Sequence, residues 1–412
     1  MFIERAWCRT ILDSRKQKTV EVFIKSHHGT FSASAPAGKS KGKNEVADYN
    51  ARGIIWSEKL ANKFLGAFAG RNIVMKEVDD LKDVEKKIKD FEKSYGIIGG
   101  NVVYAIEAAM MKCAARESRK ELWRFVYDSM KYEGDIKMPM PVGNCIGGGL
   151  HSRGMNGKRP DFQEFELIPQ EETFSKAVTK NIHAYLYAKK LIKKAHHAWT
   201  IKTNDENAIE TSTTNEETLT LLSKVAEKYG LRIGLDVAAS SFVNDKNYYN
   251  YKNKELIRDR LEQIDYMRII AQRYNLLYLE DPLDEEDFSG FQELLSKVHA
   301  KKLDTLIVGD DLTTTNLKRV DRASRGKAIN AMIVKPNQIG SFVEVKKVIE
   351  FCKKHNIKTI FSHRSGETMD DALGDFAVGF QADFVKTGLY GPERLIKLRR
   401  IMQIEKEILR ED

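Results

Sequence analysis

Six short apolar segments in the later two thirds of the chain each end in a residue that could do chemistry. In chain order these residues are Asp236, Glu280, Asp310, Lys335, His363 with Arg364, and Lys386. Three carboxylates held close together repel one another, so we expect a cation between them. Oxygen ligands without cysteine or histidine suit a hard cation, with Mg²⁺ the first choice and Mn²⁺ the second. Taken singly, each aspartate would more often cap a helix or form a turn.

The remaining groups in this series are cationic or hydrogen-bonding. Lys335 follows the apolar run AMIV, and a desolvated lysine near a cation is expected to have a lowered pKa, which would suit a general base. An ion pair with one of the carboxylates is the alternative. Arg364, Ser365 and Lys386 could bind an anion. Together they favour removal of a proton next to a carboxylate group, whose developing charge a metal ion would stabilise.

The stretch FSHRSGET, residues 361–368, shows how one strand end could bind such an anion. It leads from the apolar strand KTI into a segment with helical spacing of apolar residues. The free N–H groups at a helix start attract anions, so the turn is a candidate phosphate clamp.

The elements that must position these residues are strands alternating with helices. LRIGLD, LLYLED, TLIVGDD, AMIVKPN, KTIFSHR and ADFVKTG read as strands of a parallel sheet, and more than five such units favour a closed β/α barrel with its active site at the carboxyl ends. The first third reads as an α+β module with an antiparallel meander. A break at KYEGDIKMPMPVG predicts a capping domain at 1–133 and a barrel domain at 138–412.

The composition excludes several other classes of protein. The 412 residues are 42% hydrophobic and 31% charged, and no apolar run is long enough to span a membrane. The start, MFIERAWCRT, is unlike a signal peptide, which favours a cytoplasmic location. Four scattered cysteines argue against a zinc site and a disulfide framework. The net charge of +9 suits an anionic substrate, whereas basic and aromatic residues are not interleaved as single-stranded nucleic acid would require.

The motifs SHRSGET, LEDPLDEEDF, GDDLTTTN, KPNQIGS and VKTG, with LDSR, TVEV and SAPAGKSKG in the first domain, resemble those of the enolase family in order and spacing. The resemblance covers essentially the whole chain and indicates a divergent, archaeal-type member. It implies an enolase-type TIM-like barrel with an N-terminal α+β domain that contains a three-stranded antiparallel meander. The implied reaction is the Mg²⁺-dependent dehydration of 2-phosphoglycerate to phosphoenolpyruvate, and two Mg²⁺ ions are expected in each active site.

The same resemblance implies a role for each site residue. Asp236, Glu280 and Asp310 would hold the first Mg²⁺, and Ser40 in a mobile loop would help bind the second. Lys335 would be the base and Glu206 the acid, with Glu164 as its partner and His363 nearby. The implied substrate contacts are His151, Gln163 and Glu164, with Arg364 and Ser365 on the phosphate and Lys386 on the carboxylate. Assembly into a homo-oligomer, a dimer or an octamer, is also implied.

Three loops depart from the family's usual pattern. Asn207-Ala208 replaces two glycines beside the acid, the segment Leu150 to Asp161 is long and adds cations, and Lys16 to Lys18 replaces a usual turn. These changes leave open a paralogue that dehydrates another phosphorylated hydroxy acid. A secondary role in RNA or scaffold binding is a further alternative.

Overall fold

The computed structural model of the chain describes residues 1–39, 41–154, 158–196 and 200–411. It has an N-terminal α+β domain followed by a β/α barrel, as the sequence predicts. No helix in these ranges is long and apolar enough to cross a membrane.

The N-terminal domain is built around an antiparallel sheet of three strands in the order β2-β3-β4. Along β3, Val20, Val22 and Ile24 are fully buried, which is the face that the alternating sequence predicts, and α3 packs against this strand. The strands are β1 (Phe2–Ile3), β2 (Arg5–Leu12), β3 (Lys18–Ser26), β4 (Gly29–Ser34) and β5 (Arg71–Asn72). The helices are α1 (Ile54–Gly66), α2 (Leu81–Tyr95), α3 (Gly100–Glu117) and α4 (Leu122–Met130), with a 3₁₀ turn at Val78–Asp80.

The barrel closes through eight strands in the order β6-β7-β9-β12-β13-β14-β15-β16, because β16 also pairs with β6. The strands of this domain are β6 (Met140–Gly147), β7 (Glu164–Pro169), β8 (Ile209–Glu210), β9 (Leu231–Asp236), β10 (Tyr249–Tyr251), β11 (Leu256–Arg258), β12 (Leu276–Glu280), β13 (Leu306–Gly309), β14 (Ala331–Val334), β15 (Lys358–Ser362) and β16 (Phe384–Lys386). The six predicted strands are present and all parallel. The structure adds one reversed strand, since β7 runs antiparallel to both β6 and β9.

Helices surround the barrel and connect its strands. They are α5 (Phe174–Ala195), α6 (Asn215–Tyr229), α7 (Arg260–Arg273), α8 (Phe288–Ala300), α9 (Leu317–Arg325), α10 (Pro336–Ile339), α11 (Phe342–Lys354), α12 (Ala372–Gly379) and α13 (Pro392–Glu411). Two further 3₁₀ turns lie at Gly149–His151 and Ala239–Ser241. Buried side chains such as Tyr278, Val308, Ile333 and Ile360 fill the barrel interior. The barrel is therefore a packed core rather than a pore, and its chemistry is confined to the carboxyl ends of the strands.

The N-terminal domain contacts the barrel at the same end. Ala37 forms an antiparallel bridge with Gly366, and Lys112 on α3 makes a partly buried ion pair with Asp370 at 3.0 Å. The first domain thus covers the mouth where the predicted site residues lie.

The four cysteines are free and buried, as expected for reduced packing residues. Burial raises the pKa of the Cys8 thiol to about 12, which disfavours its reactive thiolate.

Candidate active site

The predicted site residues meet around one small cavity of about 60 Å³ at the carboxyl ends of the barrel strands. Those that line it are His151, Gln163, Glu164, Glu206, Asp236, Asp310, Lys335, His363, Arg364, Ser365 and Lys386. Glu280 is 1% exposed and is bonded to the ammonium of Lys386. Ser40, expected to bind a second metal ion, lies outside the described residues.

Lys386 provides the positive charge at the centre of the carboxylates. Its Nζ lies 2.8 Å from Glu280, 3.1 Å from both Glu164 and Glu166, and 3.3 Å from Asp236. Although burial disfavours a charged amine, these four carboxylates raise the pKa of Lys386 well above its usual value. This lysine is expected to bind a substrate carboxylate, but its partners in the structure are carboxylates of the protein.

The three predicted metal ligands do not form one tight group in this arrangement. Asp236 and Glu280 are register partners on neighbouring strands and share Lys386, whereas Asp310 accepts a hydrogen bond from Lys335. The oxygens of Asp310 cluster instead with those of Asp281 and Asp311, within 4.8 Å of one another. The lysines therefore hold the carboxylates apart in two groups, which sequence position alone could not indicate.

Lys335 makes the ion pair that was the alternative to a free base. Burial alone would lower its pKa, but the adjacent Asp310 carboxylate outweighs burial and the pKa of Lys335 is raised. The fall in its pKa that is expected beside a bound cation stays a prediction. Gln338 donates a hydrogen bond of 3.1 Å to the other oxygen of Asp310, so that carboxylate is satisfied on both sides.

Asp281 and Asp311 were not singled out in the sequence, although they sit beside predicted ligands in LED and GDD. Asp281 accepts hydrogen bonds from the backbone N–H groups of Asp310 at 3.0 Å and Asp311 at 2.8 Å. Burial, and then the neighbouring Asp310, raises the pKa of Asp311 to about 8. Asp281 thus fixes the turn after β13.

Glu206, the predicted acid, is buried against His151, whose Nδ1 lies 3.2 Å from its carboxylate. Asn144 donates to its second oxygen at 3.0 Å. Burial opposes ionisation, yet His151 and the nearby cations lower the pKa of Glu206 well below its usual value. Burial has the opposite outcome at Glu164, where it raises the pKa well above the usual value. These two carboxyl groups lie close to each other, and their surroundings favour the protonated form of Glu164 and the ionised form of Glu206.

The loop that carries Glu206 keeps its turn without the usual glycines. Asn207 adopts the left-handed conformation, with φ of 63°, which asparagine tolerates better than most residues. The side chain of Asn204 accepts hydrogen bonds from the N–H groups of Glu206 and Ala208 at 2.9 and 3.0 Å. Asn207 therefore adopts the backbone conformation that a glycine usually provides at this position in the family.

Arg394, which the sequence reasoning missed, organises the turn FSHRSGET. It is fully buried at the start of α13 and donates to Nδ1 of His363 at 2.8 Å and to the carbonyls of Arg364 at 2.7 Å and Ser365 at 2.8 Å. Because a guanidinium only donates, Nδ1 accepts and the imidazole proton is on Nε2, which lies 3.8 Å from Glu206. Burial, and then Arg394, lowers the pKa of His363 well below its usual value and keeps the ring neutral.

The predicted phosphate clamp is engaged by a carboxylate from the N-terminal domain. Arg364 donates from Nη1 and Nη2 to the two oxygens of Glu45, at 2.9 and 3.1 Å, and both side chains are almost fully buried. Nothing in the motif around Glu45 singled it out. The same loop places the N–H of Lys39 on Ser365 Oγ at 2.7 Å, and Gln163 donates to Asp236 at 3.0 Å. Groups expected to hold substrate thus hold one another.

Comparison with known proteins agrees with the architecture and the site. The family model described as "Enolase, N-terminal domain" matches residues 3–126, and "Enolase, C-terminal TIM barrel domain" matches residues 135–411. The chain belongs to the enolase family. Enolase of Methanosphaera stadtmanae is 35% identical over 99% of this chain and 97% of its own length. Enolase of Picrophilus torridus is also 35% identical, over 97% of this chain and 98% of its own length.

This finding confirms the predicted resemblance to archaeal-type enolases, since these two relatives are archaeal and match over nearly their full length. It also confirms enolase activity, the Mg²⁺-dependent hydro-lyase reaction predicted from the motifs, and with it a phosphorylated small-molecule substrate. The all-oxygen carboxylate set at the barrel mouth fits this hard cation.

Proposed function

We propose that this chain dehydrates 2-phospho-D-glycerate to phosphoenolpyruvate, reversibly, with Lys335 as the base and Glu206 as the acid. The observation that carries the proposal is that both residues line one cavity but belong to different networks, Lys335 to Asp310 and Glu206 to His151. Base and acid are needed on opposite sides of the substrate, because one takes a proton from carbon while the other meets the departing hydroxide.

Asp236, Glu280 and Asp310 would hold Mg²⁺, with Ser40 contributing to a second ion. When bound, the metal supplies positive charge that stabilises the dianionic form of the substrate carboxylate. The carboxylates now satisfied by Lys335 and Lys386 are the oxygens that would serve as ligands. Release of Asp310 from Lys335 would remove the contact that raises the pKa of this lysine, and so favour the neutral amine that a base requires.

Lys335 removes the proton from the carbon that bears the phosphate. A proton first passes from Glu164 to Glu206. The hydroxide on the next carbon then leaves with the electron pair of its C–O bond and takes this proton from Glu206. Glu164 holds the reserve proton of this pair, and His151 and His363 fix the position of Glu206. Arg364 and Ser365 bind the phosphate. Lys386 and Gln163 orient the protein carboxylates Asp236 and Glu280, next to which the substrate carboxylate would bind.

We further infer the domain boundaries, the assembly and the location of the enzyme. The chain would divide into a capping domain at 1–133 and a catalytic barrel at 138–412. Residues 131–139 connect α4 to β6, and the two family matches leave residues 127–134 between them. Assembly as a homo-oligomer, a dimer or an octamer, and a cytoplasmic location are part of the same proposal.

A substrate comparison tests the assignment against a paralogue that acts on a larger phosphorylated hydroxy acid. We expect kcat/KM for 2-phosphoglycerate to exceed that for 2-phosphoerythronate by roughly 10- to 200-fold, as expected for one extra group in a closed pocket. Formation of the enol phosphate is followed by its absorbance with Mg²⁺ present. A preference for the longer acid would overturn the proposed substrate.

A further inference from the structure

A second cavity of about 400 Å³ adjoins the active site on the side of the long loop before β7. It is lined by Leu150, Lys158, Arg159, Ser241, Lys252 and Lys254, among others. Ser241 also lines the active-site cavity, and Leu150 precedes His151 in the chain. The two cavities are therefore neighbours, although no residue proposed for the dehydration lines the second one.

The walls of this cavity are fixed to each other by hydrogen bonds. One wall is the tip of the hairpin between β10 and β11, and the other is the segment 158–161. Asn253 at the tip donates to the carbonyl of Arg159 at 2.6 Å and to that of Thr213 at 3.1 Å. Asp161 accepts from the N–H groups of Lys252 at 2.8 Å and Asn253 at 3.3 Å. The cavity is thus a built feature and not a gap between loose loops.

The lining of this second cavity carries an excess of positive charge. Four cations face two carboxylates, Asp161 and Glu255. Asp161 is already committed to two backbone amides, and Lys254 to Glu216 at 3.1 Å. Among the residues that the structure describes, Lys158 and Lys252 have no carboxylate partner within ion-pair distance. Two ammonium groups without a carboxylate partner therefore lie on opposite walls, Lys158 on one and Lys252 on the other.

We propose that this cavity binds a small polyanion with two linked phosphate-type groups, separately from the dehydration site. Paired charges on opposite walls suit a ligand with an anionic group for each, and the volume lies in the range of small-ligand pockets. A nucleic acid strand would need an open track with stacking surfaces, whereas this cavity is concave and its ring, Phe242, is packed on Tyr249 and Tyr251.

Calorimetric titration with pyrophosphate, without Mg²⁺ so that the probe is not chelated, tests the proposal. The Arg364→Ala variant removes the phosphate clamp of the active site, and we expect it still to bind one pyrophosphate per chain. In that background, Lys158→Gln with Lys252→Gln should weaken binding at least about tenfold, since two charge-assisted contacts are lost. Both lysines are exposed, so their substitution leaves the fold intact.

The matched control is Lys190→Gln with Lys193→Gln, two exposed lysines of α5 remote from the cavity lining, and it should bind as tightly as the parent. Equal weakening in both double variants would show only a net-charge effect and would overturn the site. Loss of all binding in Arg364→Ala would assign pyrophosphate to the active site instead. Tighter binding of a short single-stranded RNA, dependent on Lys158 and Lys252, would replace the small-anion site with a nucleic-acid surface.

Discussion

At the scale of single residues, each of three buried cations of the site is paired with a carboxylate of the protein. Lys335 pairs with Asp310, Lys386 with four carboxylates and Arg364 with Glu45. A buried charge without a partner destabilises the folded state, so these ion pairs allow the site to keep its charged groups without unfolding the protein. Substrate and metal would exchange partners with these groups and would not enter a bare charged cavity.

Glu45 offers the clearest test of this exchange. If substrate phosphate must displace it from Arg364, then Glu45→Gln should lower KM for 2-phosphoglycerate by roughly 3- to 10-fold, because a self-occupied site reduces apparent affinity. Glutamine keeps a hydrogen bond to the guanidinium without the competing charge. Steady-state kinetics measure the effect, with Glu21→Gln, in an exposed pair with Arg9, as the control. A raised KM would mean that Glu45 positions Arg364 instead.

At the scale of elements, two turns decide whether the acid and the phosphate clamp are correctly placed. The turn after β15 depends on Arg394, and the turn at residues 204–208 depends on Asn204 and on the left-handed Asn207. The turn after β15 is held by a side chain about thirty residues further along the chain, and the turn at residues 204–208 by a backbone conformation that few residues adopt.

Substitution at Asn207 tests the backbone argument directly. Asn207→Ala should lower the free energy of unfolding by about 1 kcal/mol, because a Cβ without a compensating polar group is strained in this conformation. Asn207→Gly should be neutral or nearly so, since glycine adopts the conformation without strain. Urea denaturation of both variants measures this pair. Equal losses in the two would show that the asparagine side chain, and not the backbone, stabilises the turn.

Arg394→Lys tests the second turn. Lysine keeps the charge but cannot make the planar set of bonds to His363 and the two carbonyls, so kcat should fall about tenfold or more. Because Arg394 acts through His363, the pH profile of kcat should also change, since Nδ1 of the imidazole loses the donor that now occupies it and becomes free to bind a proton. A proportional loss of stability with an unaltered pH profile would assign Arg394 a purely structural role.

How far the sequence predicts these elements depends on the kind of signal. The six parallel strands are visible because each is a short apolar run, and every described site residue but Glu280 lines one cavity because strand ends in a barrel converge. The reversed direction of β7 was not predicted, because its apolar residues give the same pattern whether the strand runs parallel or antiparallel to its neighbours. Glu45 and Arg394 escaped it because their partners are set by packing, with Glu45 319 residues from Arg364.

At the scale of the whole molecule, the N-terminal domain completes the site by closing on the barrel mouth. The contact between Lys112 and Asp370 anchors it, with Ser34 donating its N–H to Asp370 at 3.0 Å and its hydroxyl bonded to Thr368 at 2.7 Å. A partly buried ion pair therefore lies at the centre of the interface between the two domains.

This interface should weaken in acid. Burial opposes ionisation of Asp370, but Lys112 and backbone N–H groups outweigh it and lower its pKa. A carboxyl with a depressed folded pKa contributes stability that is full above its unfolded pKa, near 4, and is lost as pH falls through the folded value. Asp370→Asn should cost about 3 kcal/mol or more at pH 7 and flatten this acid dependence. Thermal unfolding between pH 3 and 7 measures both; the same slope in variant and parent would contradict it.

The central claim, that Lys335 and Glu206 divide proton removal from hydroxide loss, is tested most directly by isotope exchange. 2-Phosphoglycerate is incubated with Mg²⁺ in D₂O, and deuterium at the phosphate-bearing carbon and phosphoenolpyruvate are measured together by NMR. We expect Glu206→Gln to incorporate deuterium without forming product, and Lys335→Ala to do neither while remaining folded. Deuterium incorporation by Lys335→Ala, or its absence in Glu206→Gln with dehydration intact, would contradict the assignment.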